Sequence, residues 1–183
     1  HVSDRTFYDV LDCSAMPVVA THSCCRALAD HPRNMTDDMI VRLAEAGGVI
    51  QINFYPLFLD DTFSEVLEKS GIMQRGETVE REFIKDPSDP ARRKAWNAVQ
   101  DELLALPRPS FRRIADHIDH VVELVGIDHV GIGSDYDGIE VTPMGMEDIS
   151  MMPVLFEELR GRGYSESDIE KIAGANFLRL LGD

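Results

Sequence analysis

His1 and His22 are the residues that metal-dependent chemistry would recruit first, with the carboxylate of Asp135 to act beside them. His22 closes the apolar run Pro17–Thr21, and Asp135 closes the run His129–Ser134 inside the string GIGSDYDG. Neutral imidazole is a good ligand for a divalent zinc-type ion, and two histidines from adjacent strand ends can share one ion while leaving positions open for water. A bound ion brings the pKa of its water down toward neutrality. A nearby carboxylate such as Asp135 can then take that proton and pass it to a leaving amine. Arg33, on the loop after the His22 run, carries the forked guanidinium that clasps a substrate carboxylate through two parallel hydrogen bonds. Spacing alone leaves rivals in place: Asp137 is as good a carboxylate as Asp135, and Arg26 competes with Arg33.

Such residues need a scaffold, and the chain has an alternating one. Ser3 or Asp4 can cap a helix running to Leu11, with Phe7, Val10 and Leu11 at helical spacing. The strand ending at His22 follows. Thr36 can cap a second helix, favoured by Asp37 and Asp38 in its first turn and stopped at Gly47-Gly48. Val49 to Tyr55, rich in β-branched and aromatic residues, predicts the next strand. From Phe111 to Val125 the apolar positions recur at helical spacing. His117 and His120 project away from that stripe, toward solvent or a flank, so the pair in DHIDH is not a metal site. Helices opening at Pro153 and at Ser165, the latter with Asp168 in a capping box, and a closing segment Phe177–Leu181 complete the series. Strands ending near His1, His22, Tyr55 and Asp135 make four strand–helix units, half of an eightfold α/β barrel whose active site sits at the C-terminal ends of its strands. Residues 58–109 break the rhythm with a charged, helix-prone insertion. Its helices are expected at Asp61–Ser70 and Pro90–Leu106, with a polar stretch between them containing Gly76 and Pro87.

The chain's 183 residues carry a net charge of −15, which argues against nucleic acid or anionic membrane as partners. No apolar run is long enough to span a membrane and no leader pattern is visible. Starting on a candidate ligand with no strand before it points to further residues upstream. The three cysteines, two of them adjacent, do not form a disulfide framework and read as buried or half-buried thiols in a reducing compartment.

The strings HVSDRTFYDVLDCSAMPVVATHSCCRALADHPRNMTDDMIVRLAEAGGVIQINFYP, HIDHVVELVGIDHVGIGSDYDG and GANFLRLL together resemble the membrane (renal) dipeptidase family of zinc peptidases, within the amidohydrolase superfamily. The resemblance covers all but the 58–109 insertion. It implies that His1 in HVS and His22 in THS bind the second zinc of a two-zinc centre. It implies that Arg33 in HPRN holds a dipeptide's C-terminal carboxylate, and that Asp135 is the catalytic acid/base while Asp137 is structural. Asn53 and Tyr55, in NFY, lie by a strand end and receive no role. The family's His-x-Asp pair, bridging glutamate and further substrate-binding histidine match no segment here. The expectation is therefore the C-terminal half of one (β/α)8 TIM-barrel domain, roughly its last four β/α units, with the N-terminal half as partner and source of the remaining Zn2+ ligands. The two thiols of THSCC beside a ligand invite interference from softer metals or oxidation.

The implied function is a zinc-dependent dipeptidase, a metal-activated hydroxide cleaving the peptide bond. D-residues at the C-terminal position and some β-lactams would be tolerated, the assembly would be a homodimer and the setting cytoplasmic. The alternatives are another amidohydrolase activity, such as N-acyl amino acid deacylase or lactonase, a non-catalytic fragment or scaffold, and an independent binding domain.

Overall fold

Short β-branched runs flanked by capped helices organise the chain, and the computed structural model describes residues 1–182. Helix α1 (Asp4–Cys13) starts at Ser3, whose hydroxyl accepts the Thr6 N–H. Strand β1 (Val19–Ser23) follows, then α2 (Asp37–Glu45), capped by Thr36 on the Met39 N–H. Next come β2 (Val49–Ile52) and the single turn α3 (Pro56–Leu59), with proline at its first position, where the missing N–H costs nothing. Helices α4 (Thr62–Ser70), α5 (Ile72–Lys85) and α6 (Pro90–Leu104) are consecutive. Then come α7 (Arg112–Val125), β3 (Val130–Ile132), α8 (Met152–Gly161), α9 (Glu166–Glu170) and α10 (Asn176–Leu180). Ser165 and Asp168 make the expected reciprocal capping box at α9.

The strands form one parallel sheet in the order β1-β2-β3. Val19 pairs with Val49 and Ala20 with Ile50, while Ile50 pairs with Val130 and Ile52 with Ile132. All three C-terminal ends lie on the same edge, the arrangement that gathers functional side chains in α/β proteins. Packing at that edge is close. A Cβ on Gly133 would stand 2.1 Å from the Thr21 carbonyl, so the backbone leaving β3 has no space for a side chain there.

The chain divides into two compact units, residues 1–61 with 109–183, and residues 62–108. In the first, the sheet is buried under Phe7, Ile40, Leu43, Ile114, Ile118, Leu155 and Ile172. The second is helical. Phe83 stacks on Trp96 at 5.6 Å, and Arg75 pairs with Glu102 at 2.7 Å.

Several expectations change. Among the described residues there are three strands, not four, because His1 stands directly before α1 with no strand of its own. The strands are shorter than their apolar runs. β2 stops at Ile52 because Asn53 turns back to accept the Tyr55 N–H, and β3 stops at Ile132 ahead of the close approach at Gly133. The polar stretch around Gly76 is helical, and Phe83 and Arg75 tie it to α6. His117 does not face solvent: it is fully buried. The contacted face of α7 is wider than its apolar stripe, because the loop carrying Cys25 and the end of α3 at Leu59 close over its flank.

Candidate active site

The loop after β1 is built first by Arg26. Its guanidinium holds both carboxylate oxygens of Asp4 at 2.8 and 2.9 Å and donates to the carbonyls of Asn34 and Pro32. All three of its nitrogens are engaged in shaping the loop, while Arg33 is the arginine whose guanidinium reaches the histidines. Asn34 pins the same loop from inside, its amide donating to the carbonyls of Ala29 and Phe58. Ser23 donates to the Arg33 carbonyl, and the Arg33 N–H donates to His31 Nδ1. Burial, reinforced by the Arg33 charge, holds His31 below the usual histidine range, so it stays a neutral acceptor.

His1, His22 and Arg33 meet in one cavity of about 240 Å³ at the C-terminal end of β1. The two imidazole centroids are 5.0 Å apart with planes tilted by 48°. Arg33 Nη1 donates to His1 Nδ1 at 2.8 Å, and its guanidinium carbon lies 5.4 Å over the Phe58 ring. A guanidinium is a donor only, so His1 is neutral here and accepts through Nδ1. His22 Nδ1 shares a 2.7 Å hydrogen bond with the Thr21 hydroxyl. In His22, Nε2 is the nitrogen left for coordination, its neighbour held by Thr21; in His1 the ring proton stands on Nε2 while Nδ1 accepts from Arg33, so His1 would ligate through Nε2 only once Arg33 releases Nδ1 and the proton moves there. The donor set suits zinc but is short of one: among the described residues no three His, Cys, Asp or Glu side chains are grouped to hold an ion.

Asp135 is not in that cavity. It stands three residues beyond β3, half-buried, with its backbone at φ 61°, the left-handed region that aspartate tolerates better than most residues. Its Oδ2 accepts from Asn53 Nδ2 at 3.1 Å. Asn53 is fully buried one residue past β2, and Asp137 is exposed. Asn53 is the residue the sequence flagged without a role; its signal was its place at a strand end, which says nothing of what its amide would meet.

The thiols of THSCC are not the liability expected. Cys24 donates to the Asn53 carbonyl and Cys25 to that of His117, and both are fully buried. Burial pushes Cys25 up to about 12 and Cys24 well above its ordinary range, so neither offers a thiolate. Cys13 differs from expectation in being exposed. Among the described residues no helix is long and apolar enough to cross a membrane.

The sequence profile of the membrane dipeptidase family, peptidase family M19, matches residues 1–183. The chain belongs to this family. It is 32% identical over 181 residues to "Dipeptidase verJ" of Clonostachys rogersoniana, covering 99% of this chain and 35% of that protein. It is 33% identical to "Uncharacterized dipeptidase C965.12" of Schizosaccharomyces pombe, with coverage of 98% and 33%. The fold superposes on the probable dipeptidase PvdM from Pseudomonas aeruginosa with a TM-score of 0.74 at 31% identity, covering 98% of this chain and 48% of that one. A metallo peptidase from Rhodobacter sphaeroides, solved with a phosphinate mimic of the dipeptide L-Ala-D-Ala, gives 0.70 at 26% identity, with coverage of 99% and 40%. The chain thus spans about a third of the curated relatives and under half of the solved chains.

Proposed function

We propose that this chain is the C-terminal half of a (β/α)8 barrel and carries one histidine pair, the carboxylate clamp and the acid/base of a zinc dipeptidase. The observation that carries this reading is the convergence of His1, His22 and Arg33 on one strand-end cavity in a member of the membrane dipeptidase family. The preceding half would complete the sheet and the metal's ligand set, for which His1 and His22 would supply two imidazoles. Zinc bound there would polarise the scissile carbonyl and acidify a water.

This chain's own residues do the rest. Arg33 binds the terminal carboxylate of a dipeptide, exchanging its contact with His1 for a two-point grip, and the length of the substrate is set by that anchor. Phe58 under the guanidinium keeps it extended toward the cavity. Asp135 takes a proton on a carboxylate oxygen and returns it to the departing amine. A D-residue at the C-terminal position fits this reading, since the phosphinate bound to the Rhodobacter relative mimics L-Ala-D-Ala. A homodimer and a cytoplasmic setting belong to the same proposal.

The test is zinc content and Ala-Ala hydrolysis in the polypeptide that includes the preceding half. Asp135→Asn should lower kcat by at least about 100-fold with zinc retained, the range general acid–base groups contribute. Arg33→Met should raise KM for Ala-Ala by about 10-fold or more, and less for an amidated substrate. Full activity in Asp135→Asn would remove Asp135 as the acid/base, and a metal-free polypeptide without turnover would favour the scaffold reading.

A further inference from the structure

We propose that Asn53, together with the bare α-carbon of Gly138, is the device that aims the Asp135 carboxylate; this rests on reading Asp135 as the acid/base. Asn53 is fixed on three sides. Its N–H donates to the Ser23 carbonyl at 3.0 Å, its own carbonyl accepts the Cys24 thiol at 3.2 Å, and its side-chain Oδ1 accepts the Tyr55 N–H at 2.6 Å. That last bond settles which way the amide points, because a backbone N–H can only face the oxygen. Nδ2 is then directed at Asp135 Oδ2, 3.1 Å away.

The other carboxylate oxygen is confined from the opposite side. A Cβ on Gly138 would stand 2.3 Å from Asp135 Oδ1 and 3.0 Å from its Cγ, so the carboxylate lies where a side chain would be. The Gly138 N–H closes the turn by donating to the Asp135 carbonyl at 2.9 Å. One oxygen is thus tied to a rigid amide and the other is held over an open backbone, leaving Oδ1 as the oxygen that handles the proton. Because Asn53 also grips the Ser23 carbonyl, next in chain to His22, the same residue sets the acid/base relative to the metal-side strand. Asn53 is a positioning residue, acting through Asp135.

Three variants in the polypeptide with its preceding half test this, assayed on Ala-Ala with zinc. Asn53→Asp keeps the acceptor for Tyr55 and replaces the donor with a carboxyl oxygen that repels the Asp135 carboxylate; Asn53→Ala removes donor and acceptor without adding a charge. Gly138→Ala displaces the carboxylate from an exposed position where folding is not at stake. Each should lower kcat by about 10-fold or more, with KM within about twofold. In the Asn53 variants the acidic limb of the kcat/KM profile should move to higher pH, since the charged carboxylate loses its donor. Placed on Asp135→Asn, none should lower the residual rate further, and Asn53→Asp should recover thermal stability there by restoring the hydrogen bond with reversed polarity. Unchanged kcat and pH limb in folded Asn53→Asp and Gly138→Ala, with Asp135→Asn inactive, would overturn this inference alone. The same loss on both backgrounds would reduce Asn53 to a structural role and overturn it too. Full activity in Asp135→Asn would remove the acid/base reading and this inference with it.

Discussion

His117 has both ring nitrogens committed: Nδ1 accepts the Cys25 N–H at 3.0 Å and Nε2 donates to the Leu59 carbonyl at 3.1 Å. It joins the end of β1 to the turn after β2, the two segments that carry His22 and Asn53. Burial lowers its pKa from 6.5 to about 4. The unfolded chain therefore binds this proton near pH 6.5 and the folded chain only near pH 4, so between them the unfolded state holds more protons and stability falls as pH falls. The full loss is about 3 kcal/mol, reached below pH 4. Denaturant midpoints measured from pH 7 to pH 4 should show this slope, and His117→Gln, which can accept and donate without titrating, should flatten it. An equal slope in both proteins would remove His117 as its source. At this scale legibility was uneven. The strand-end histidine and aspartate stood out because a polar residue closing an apolar run is rare without a reason. For His117 the choice between solvent and a flank stayed open, because a helical projection registers apolar neighbours, not the segments that cover a flank. The choice of Arg33 over Arg26 needed coordinates, since spacing does not reveal that Asp4 consumes the other guanidinium.

Among the elements, α7 and α8 share the apolar core through Ile114, Ile118, Leu155 and Leu159 and also meet around a polar centre. Arg162, at the C-terminus of α8, donates to Asp119 at 2.6 Å, Asp116 at 2.8 Å and Glu158 at 3.1 Å, and to the Arg112 carbonyl. Tyr164 donates to the other oxygen of Asp119 at 2.7 Å. The Arg162 side chain is 21% exposed, so the network is partly screened and each bond is worth less than a buried one. Removing the guanidinium takes the one cation shared by the three carboxylates, though Glu158 keeps Arg112 and Asp116 keeps Arg113. Arg162→Met should cost about 2 kcal/mol, read as a drop in the urea midpoint at constant m-value, and Arg162→Lys should not recover it, because an ammonium cannot span the fork. A midpoint unchanged in Arg162→Met would mean that apolar contacts alone fix the α7–α8 pairing. Helices were legible here because caps and stripes are local: Ser3, Thr36 and the Ser165–Asp168 box each start a helix as expected. Strand ends were less so. They are set by tertiary events, the Asn53 turn and the Gly133 approach, that no apolar run encodes.

For the whole molecule, the sheet order leaves β1 at an edge, bonded to β2 alone among the described residues. Residues 18–23 line the cavity along their whole length, facing Phe7 and Val10 of α1. Val2 and Val10 are 57% and 40% exposed. An apolar slot between a strand edge and the helix that precedes it is the space a further parallel strand would fill in a barrel, supplying the backbone partners that β1 lacks and covering those valines. If the proposed preceding half provides that strand, hydrogen exchange should register it locally. Amides of Val19–Ser23 should exchange at least about 100-fold more slowly in the longer polypeptide than in the 183-residue chain alone, a difference of about 3 kcal/mol in local opening. Amides of β2, already bonded on both sides, should change far less. Equal protection of β1 in the two proteins would mean that this chain seals its own edge. The barrel-half reading would then give way to an independent domain whose histidine pair lies at a finished surface.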